Sequence, residues 1–142
     1  MSENKDIRWK QRYQHYHKLI HHLRRGLKNR SPESSDLMYQ AGLTTHFNLS
    51  FEMLWKLLKD YLEYLEVEID IRSPKNILKI AANSGLLEKI DVDGNVLMNA
   101  HKSRNELSHI YDFDKAEEIL EKIENNYLDE MLKVDTYFQE LM

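Results

Sequence analysis

Apolar residues recur along this chain at helical spacing almost from end to end. In the first segment Trp9, Tyr13, Tyr16, Ile20, Leu23 and Leu27 step by 4, 3, 4, 3 and 4. That rhythm marks one seam on a helix of roughly 22 residues. Gly26 and Asn29 weaken its end, and Ser31-Pro32-Glu33 reads as a stop followed by a start. Ser31 suits an N-cap and Pro32 the first helical position. The second segment, about Asp36 to Val67, carries Leu43, Phe47, Phe51, Leu54, Leu58, Tyr61 and Leu65, and Leu37, Trp55 and Leu62 widen the stripe. So wide a stripe predicts a helix covered on more than one side. Glu52, Lys56, Lys59 and Glu63 give i,i+4 pairs of the kind that support a surface. Gly42, inside this pattern, predicts a kink or a close helix crossing.

Glu66 to Arg72 alternates apolar and charged residues too briefly for a sheet and reads as an extended connection. Ser73-Pro74 starts a short helix through Ile77, Leu78, Ile80 and Ala81, ending near Gly85. Leu86 to Ile90 is a further apolar turn, and Asp91-Val92-Asp93-Gly94 is a turn by its chemistry. Its acids resemble a calcium loop only superficially, because the later ligand positions are not filled. A fourth long element runs from about Asn95 to Ile110. The last helix opens with Asp114-Lys115-Ala116-Glu117, a D-x-x-E capping box. It continues through Ile119, Leu120, Ile123, Tyr127, Met131, Val134, Phe138 and Leu141. The pattern predicts one all-α domain over residues 1–142: an up-and-down four-helix bundle with an additional short helix.

Composition agrees. The 142 residues include only four glycines and two prolines, with 31% charged and 42% hydrophobic positions, enough for one core and typical of a helical protein. No run reaches the roughly 18 apolar residues of a membrane span, and Met1 to Asp6 lack the apolar centre of a signal peptide. Cysteine is absent, which excludes disulfides, thiolate catalysis and thiolate metal sites, so a cytoplasmic setting is expected. Charge is lopsided. Residues 1–30 hold nine Lys/Arg against two acids, a net of +7, and residues 31–142 hold eleven against twenty-two, a net of −11. The basic first helix could track phosphates, but in an acidic chain it more naturally complements the acidic helices of its own fold or of a second subunit.

Chemistry concentrates in Arg104-Asn105-Glu106-Leu107-Ser108-His109-Ile110-Tyr111. On a continuous helix Asn105 and His109 are i,i+4 neighbours, and Arg104, Ser108 and Tyr111 form an adjacent row. His101 and Lys102 lie on the approach to this strip. Arg offers a planar fork of donors that suits a phosphodiester. His titrates near neutrality, and a helix C-terminus favours its protonated form. Asn can orient a phosphate oxygen, and Tyr can hydrogen-bond or be modified. Together they suit metal-free phosphodiester chemistry on RNA, where the 2′-OH is the nucleophile. The same residues also fit a purely structural helix end, with Arg104 paired to a nearby acid, and residue types alone leave both readings open.

His17 and His21 form a second i,i+4 pair, with His15 and His22 nearby. Such a pair can bind zinc, but the sequence places no carboxylate or third ligand beside it and holds no HExxH pattern, so no metal site is expected and the histidines read as solvated. No glycine-rich phosphate loop, nucleophile elbow or catalytic carboxylate pair is present, and no cofactor is expected.

Across nearly its whole length the chain resembles the nucleotidyltransferase substrate-binding proteins, a branch of the HEPN superfamily related to the HepT-type toxins. The resemblance rests on Arg8-Trp9-Lys10-Gln11-Arg12-Tyr13, on Phe51-Glu52-Met53-Leu54-Trp55-Lys56-Leu57-Leu58-Lys59-Asp60-Tyr61, on Ser73-Pro74, on Gly85-Leu86-Leu87 and on the strip 104–111. The last fits the superfamily's R-x(4–6)-H pattern and the R-x4-H-x-Y form of the HepT branch. It implies a HEPN-like helical homodimer whose two Arg/His strips meet in a cleft, and a partner, a minimal nucleotidyltransferase. In the toxin branch Arg104 and His109 would be a metal-independent ribonuclease pair acting on tRNA or mRNA, and Asn105 would help hold the phosphate. Ser108, Lys102 and His101 would flank the substrate. Tyr111 would accept AMP from the partner. In the substrate-binding branch the same cleft would present a substrate to the partner instead.

Overall fold

A computed structural model describes residues 3–30, 36–108 and 112–142. The elements are α1 (Glu3–Lys28), α2 (Leu37–Tyr64), α3 (Pro74–Asn83), α4 (Leu86–Ile90) and α5 (Gly94–Leu107), then α6 (Phe113–Lys122), a π-helical turn (Ile123–Tyr127) and α7 (Leu128–Leu141). No strand occurs among the described residues, and the molecule is an all-α bundle. The α6–π–α7 run acts as one long helix, so the four expected long helices are present. Two short ones accompany them, since Leu86–Ile90 closes a helical turn of its own. No helix among the described residues is long and apolar enough to cross a membrane.

The seam of α1 is buried at every expected position, and along α2 Leu43, Phe47, Phe51, Leu54, Trp55, Leu58, Tyr61 and Leu62 all enter the core. Each fully buried side chain of this size contributes about 1.5–3 kcal/mol relative to exposure. α1 and α2 run antiparallel over their full length. Trp9, near the start of α1, meets Tyr61, near the end of α2, edge to face at 5.2 Å. At the other end Tyr39 donates to the Gly26 carbonyl. α7 returns along α1: Phe138 lies 5.7 Å from Trp9, and Tyr16 donates a buried 2.6 Å hydrogen bond to the Met131 carbonyl.

The close crossing is at Gly26, not Gly42. A Cβ on Gly26 would sit 2.7 Å from Leu43 Cδ2, whereas one on Gly42 would meet nothing within 4 Å and α2 passes through it unbroken. Capping also differs in detail. Asp36 caps α2 by accepting from Met38 and Tyr39 amides, while the proposed Ser31 cap lies outside the described residues. α6 is capped by Asp112, which accepts from the Lys115 amide at 3.1 Å, so Asp114 falls inside the first turn and the capping box is not used. Ser73 and Pro74 start α3 as expected, Ser73 accepting from the Asn76 amide. The acids at 91–94 are structural: Asp91 takes a left-handed conformation ending α4, and Asp93 caps α5.

Ile119, Ile123, Tyr127 and Met131 are separated by three consecutive steps of four. On a regular α-helix each such step overshoots by about 40°, which would carry Met131 well off the core face. The π turn absorbs the extra residue, and all four stay buried. Part of the basic charge of residues 1–30 is used within the fold. Arg12 pairs with the buried Asp60 of α2 at 2.9 Å, Arg8 with Glu63, and Arg30 with Glu117 and Glu124.

Candidate functional site

α5 crosses the middle of α2 and delivers the strip. Its helix ends at Leu107, three residues earlier than the apolar pattern suggests. Ser108 caps it through its own amide and hydroxyl, both donating to the Asn105 carbonyl, the hydroxyl at 2.8 Å. The Ser108 hydroxyl thus gives its proton to the helix end and keeps its lone pairs for an acceptor role. His109, Ile110 and Tyr111 lie outside the described residues, as does the expectation of a protonated imidazole at the helix end.

Three of the expected residues come together. Arg104 reaches across to α2 and forms an ion pair with Glu52 through Nη2 and Oε2. Glu52 also accepts from Trp55 Nε1 at 3.1 Å and pairs with Lys56 at 3.2 Å. Burial raises the Glu52 carboxyl, but the Trp55 and Lys56 hydrogen bonds and the Arg104 charge outweigh it and hold the group below its ordinary 4.5. His101 lies one turn before Asn105, whose amide donates to His101 Nε2 at 3.3 Å. The imidazole stacks on Phe51, with centroids 5.9 Å apart and planes at 26°. Its Nδ1 is buried with no hydrogen-bond partner among the described residues. Burial first, then the charges of Arg104 and Lys75, keep His101 below its ordinary 6.5. At neutral pH it is an uncharged acceptor beside a fixed cation. The arrangement can take one anionic oxygen at Arg104, in competition with Glu52, and orient another through Asn105, which is exposed.

Lys102 does not join them. It lies about 160° around α5 from Arg104 and lines a separate cleft of about 320 Å³ with Glu106, Lys122 and Asn126, floored by Ser103 and Tyr127. Ser103 Oγ and the Tyr127 hydroxyl share a buried 2.8 Å hydrogen bond there. Glu106 pairs with Lys115 at 3.1 Å rather than with Arg104. Glu52 is the residue missed in the sequence. Its spacing to Lys56 reads as ordinary surface support, and only the crossing of α5 over α2 gives it Arg104.

A second cluster assembles elsewhere. His17 and His21, expected to be solvated, both point at Asp135 of α7: His17 Nδ1 lies 2.8 Å from Oδ1 and His21 Nε2 2.9 Å from Oδ2. The carboxylate is buried, while each imidazole is a little over one-third exposed. Burial, followed by the Asp135 charge, also holds the Tyr13 and Tyr16 phenols above their ordinary value.

No curated protein matches the chain. The sequence profile described as nucleotidyltransferase substrate binding protein like matches residues 11–140. That range takes in α2 with its Glu52, the whole of α5 with Arg104, and the α6–π–α7 helix, so the chain belongs to this family of nucleotidyltransferase substrate-binding-like proteins.

Proposed function

We propose that this protein is the HEPN-type partner of a minimal nucleotidyltransferase in a two-component, toxin–antitoxin-like system, and that it is a metal-independent endoribonuclease using Arg104 and His109. The observation that carries the reading is the Arg104-Asn105…His109-x-Tyr111 order in a member of this family, at a helix end where Arg104 and Asn105 emerge beside each other. Arg104 holds a non-bridging oxygen of the scissile phosphate, exchanging Glu52 for the ligand. Asn105 fixes the phosphate's orientation. His109 takes the proton of the 2′-OH as its oxygen bonds to phosphorus. The bond from phosphorus to the 5′-oxygen breaks, leaving a 2′,3′-cyclic phosphate. In a homodimer the second copy's imidazole protonates the departing 5′-oxygen. RNA, as tRNA or mRNA, is the substrate class.

Control falls to Tyr111. Transfer of AMP from ATP to the Tyr111 oxygen by the nucleotidyltransferase, with pyrophosphate and the phenol proton leaving, places a bulky anion two residues from His109 and fills the phosphate site. The test is co-expression with a minimal nucleotidyltransferase encoded beside this chain, followed by intact-mass measurement. The wild type is expected to gain the mass of one or more AMP groups and Tyr111→Phe none. An unmodified wild type contradicts the control step. The Glu52–Arg104 ion pair favours a second reading, because it neutralises the only strip cation described at the end of α5. There the cleft binds and presents a substrate to the nucleotidyltransferase without cutting RNA, and the net charge of −4 disfavours avid capture of long RNA.

A further inference from the structure

The His17–His21–Asp135 cluster plays no part in the strip at the end of α5, and it is built from two helices, α1 and α7, that pack against each other. We infer that it is a binding site for a divalent transition-metal ion, zinc by its donor set, that clamps α7 to α1. Two imidazole nitrogens and one carboxylate are a donor set suited to zinc, and i,i+4 spacing on α1 puts both imidazoles on one face. The ligating atoms all lie within 4.8 Å of one another. Zinc bonds of about 2.0–2.2 Å hold tetrahedral donors roughly 3.3 Å apart. The 2.8 and 2.9 Å contacts between imidazole and carboxylate therefore need to open by about half an ångström and the widest donor pair, within 4.8 Å, to close by up to about 1.5 Å, which side-chain rotation of partly exposed imidazoles supplies.

Electrostatics points the same way. Asp135 is buried, and among the described residues no lysine or arginine forms an ion pair with it. What faces it is Tyr13, Tyr16, His17 and His21, all from α1. A buried carboxylate calls for a cation, and two neutral imidazoles supply only hydrogen bonds. A divalent ion bound to all three supplies the charge. The exposed edges of the two rings leave a route in and an open fourth position for water, as three-ligand zinc sites have. A protonated imidazole is the competing way to balance Asp135, and acidification separates the two answers: an imidazolium keeps its hold on the carboxylate, whereas metal binding weakens because protons compete for the ring nitrogens.

The test uses the full chain without a histidine tag, stripped with chelator and titrated with zinc chloride at pH 7.5 and pH 5.5. Calorimetry supplies the stoichiometry, a thermal melt the stability, and cobalt substitution the absorption of a tetrahedral site. One zinc per chain is expected at pH 7.5, with a higher Tm, a visible cobalt spectrum, and binding lost at pH 5.5. His21→Ala, at a partly exposed position, should weaken binding about 100-fold or more while the chain still folds, and Asp135→Asn should abolish the cobalt spectrum. His15→Ala should change nothing. The inference is overturned if the wild type takes up no stoichiometric zinc, if His21→Ala binds as tightly as the wild type, or if Tm rises on acidification and ignores the metal. None of these results depends on RNA cleavage or on Tyr111.

Discussion

At the scale of single residues, the end of α5 is defined by which groups are charged. Arg104 is always cationic and held by Glu52, and His101 is pushed toward neutrality by burial, Arg104 and Lys75. A histidine whose folded pKa lies below its unfolded one contributes stability above the unfolded value and loses it as pH falls. The window therefore opens at about 6.5 and extends downward. NMR titration of the His101 ring should give a midpoint below 6.5 in the wild type. In Arg104→Ala the midpoint should move up but stay below 6.5, because burial against Phe51 remains. A midpoint at or above 6.5 in the wild type would mean that His101 is a second cation of the strip, and the neutral-acceptor role toward Asn105 would be wrong. The sequence could name these residues but not their states. The i,i+4 relation of His101 to Asn105 is local, whereas the stacking on Phe51 and the pairing with Glu52 are made between helices whose crossing no spacing rule predicts.

At the scale of elements, the chain keeps two different registers. In α1 the 4-3-4-3-4 seam matches a regular helix, so every residue counts. Along α6–π–α7 the three steps of four are absorbed by one extra residue in the π turn. Deleting Asn125, which is exposed within that turn, should regularise the helix and leave stability within about 1 kcal/mol. Deleting Gln14, equally exposed in α1, should rotate everything after it by about 100°, turn the seam away from α2, and cost more than about 4 kcal/mol. Chemical denaturation of the two deletions settles it, and equal losses would contradict the assigned role of the π turn. Element existence was legible because the apolar seams are long and strongly periodic. Ends were not. α5 stops at Leu107 because Ser108 turns both its amide and its hydroxyl onto the Asn105 carbonyl, a capping choice that the apolar pattern does not register. Asp112 displaced Asp114 as a cap for the same kind of reason: either aspartate suits the role, and only the path of the chain selects one.

At the scale of the whole molecule, acids of α2 and α6 absorb part of the basic charge of residues 1–30, through Arg8, Arg12 and Arg30. For the phosphate of the proposed reaction the strip offers a local contact, Arg104 beside Asn105, with His109 to follow in the sequence. The His17–His21–Asp135 cluster shows the limit of reading such a chain in one dimension. His17 and His21 are visible as a pair, but Asp135 comes from the far end of the sequence and is brought in only by the antiparallel return of α7 along α1. Membership of the nucleotidyltransferase substrate-binding-like family associates the chain with a nucleotidyltransferase. Whether the strip cuts RNA is decided by incubating purified wild type and His109→Ala with total tRNA and mRNA in excess chelator and mapping the product ends. Cleavage by the wild type with cyclic phosphate ends is expected, with a loss of about 10²–10⁴-fold in His109→Ala and helicity unchanged. RNA left intact by both proteins, with Tyr111 unmodified, would contradict it and leave the substrate-presenting reading in its place.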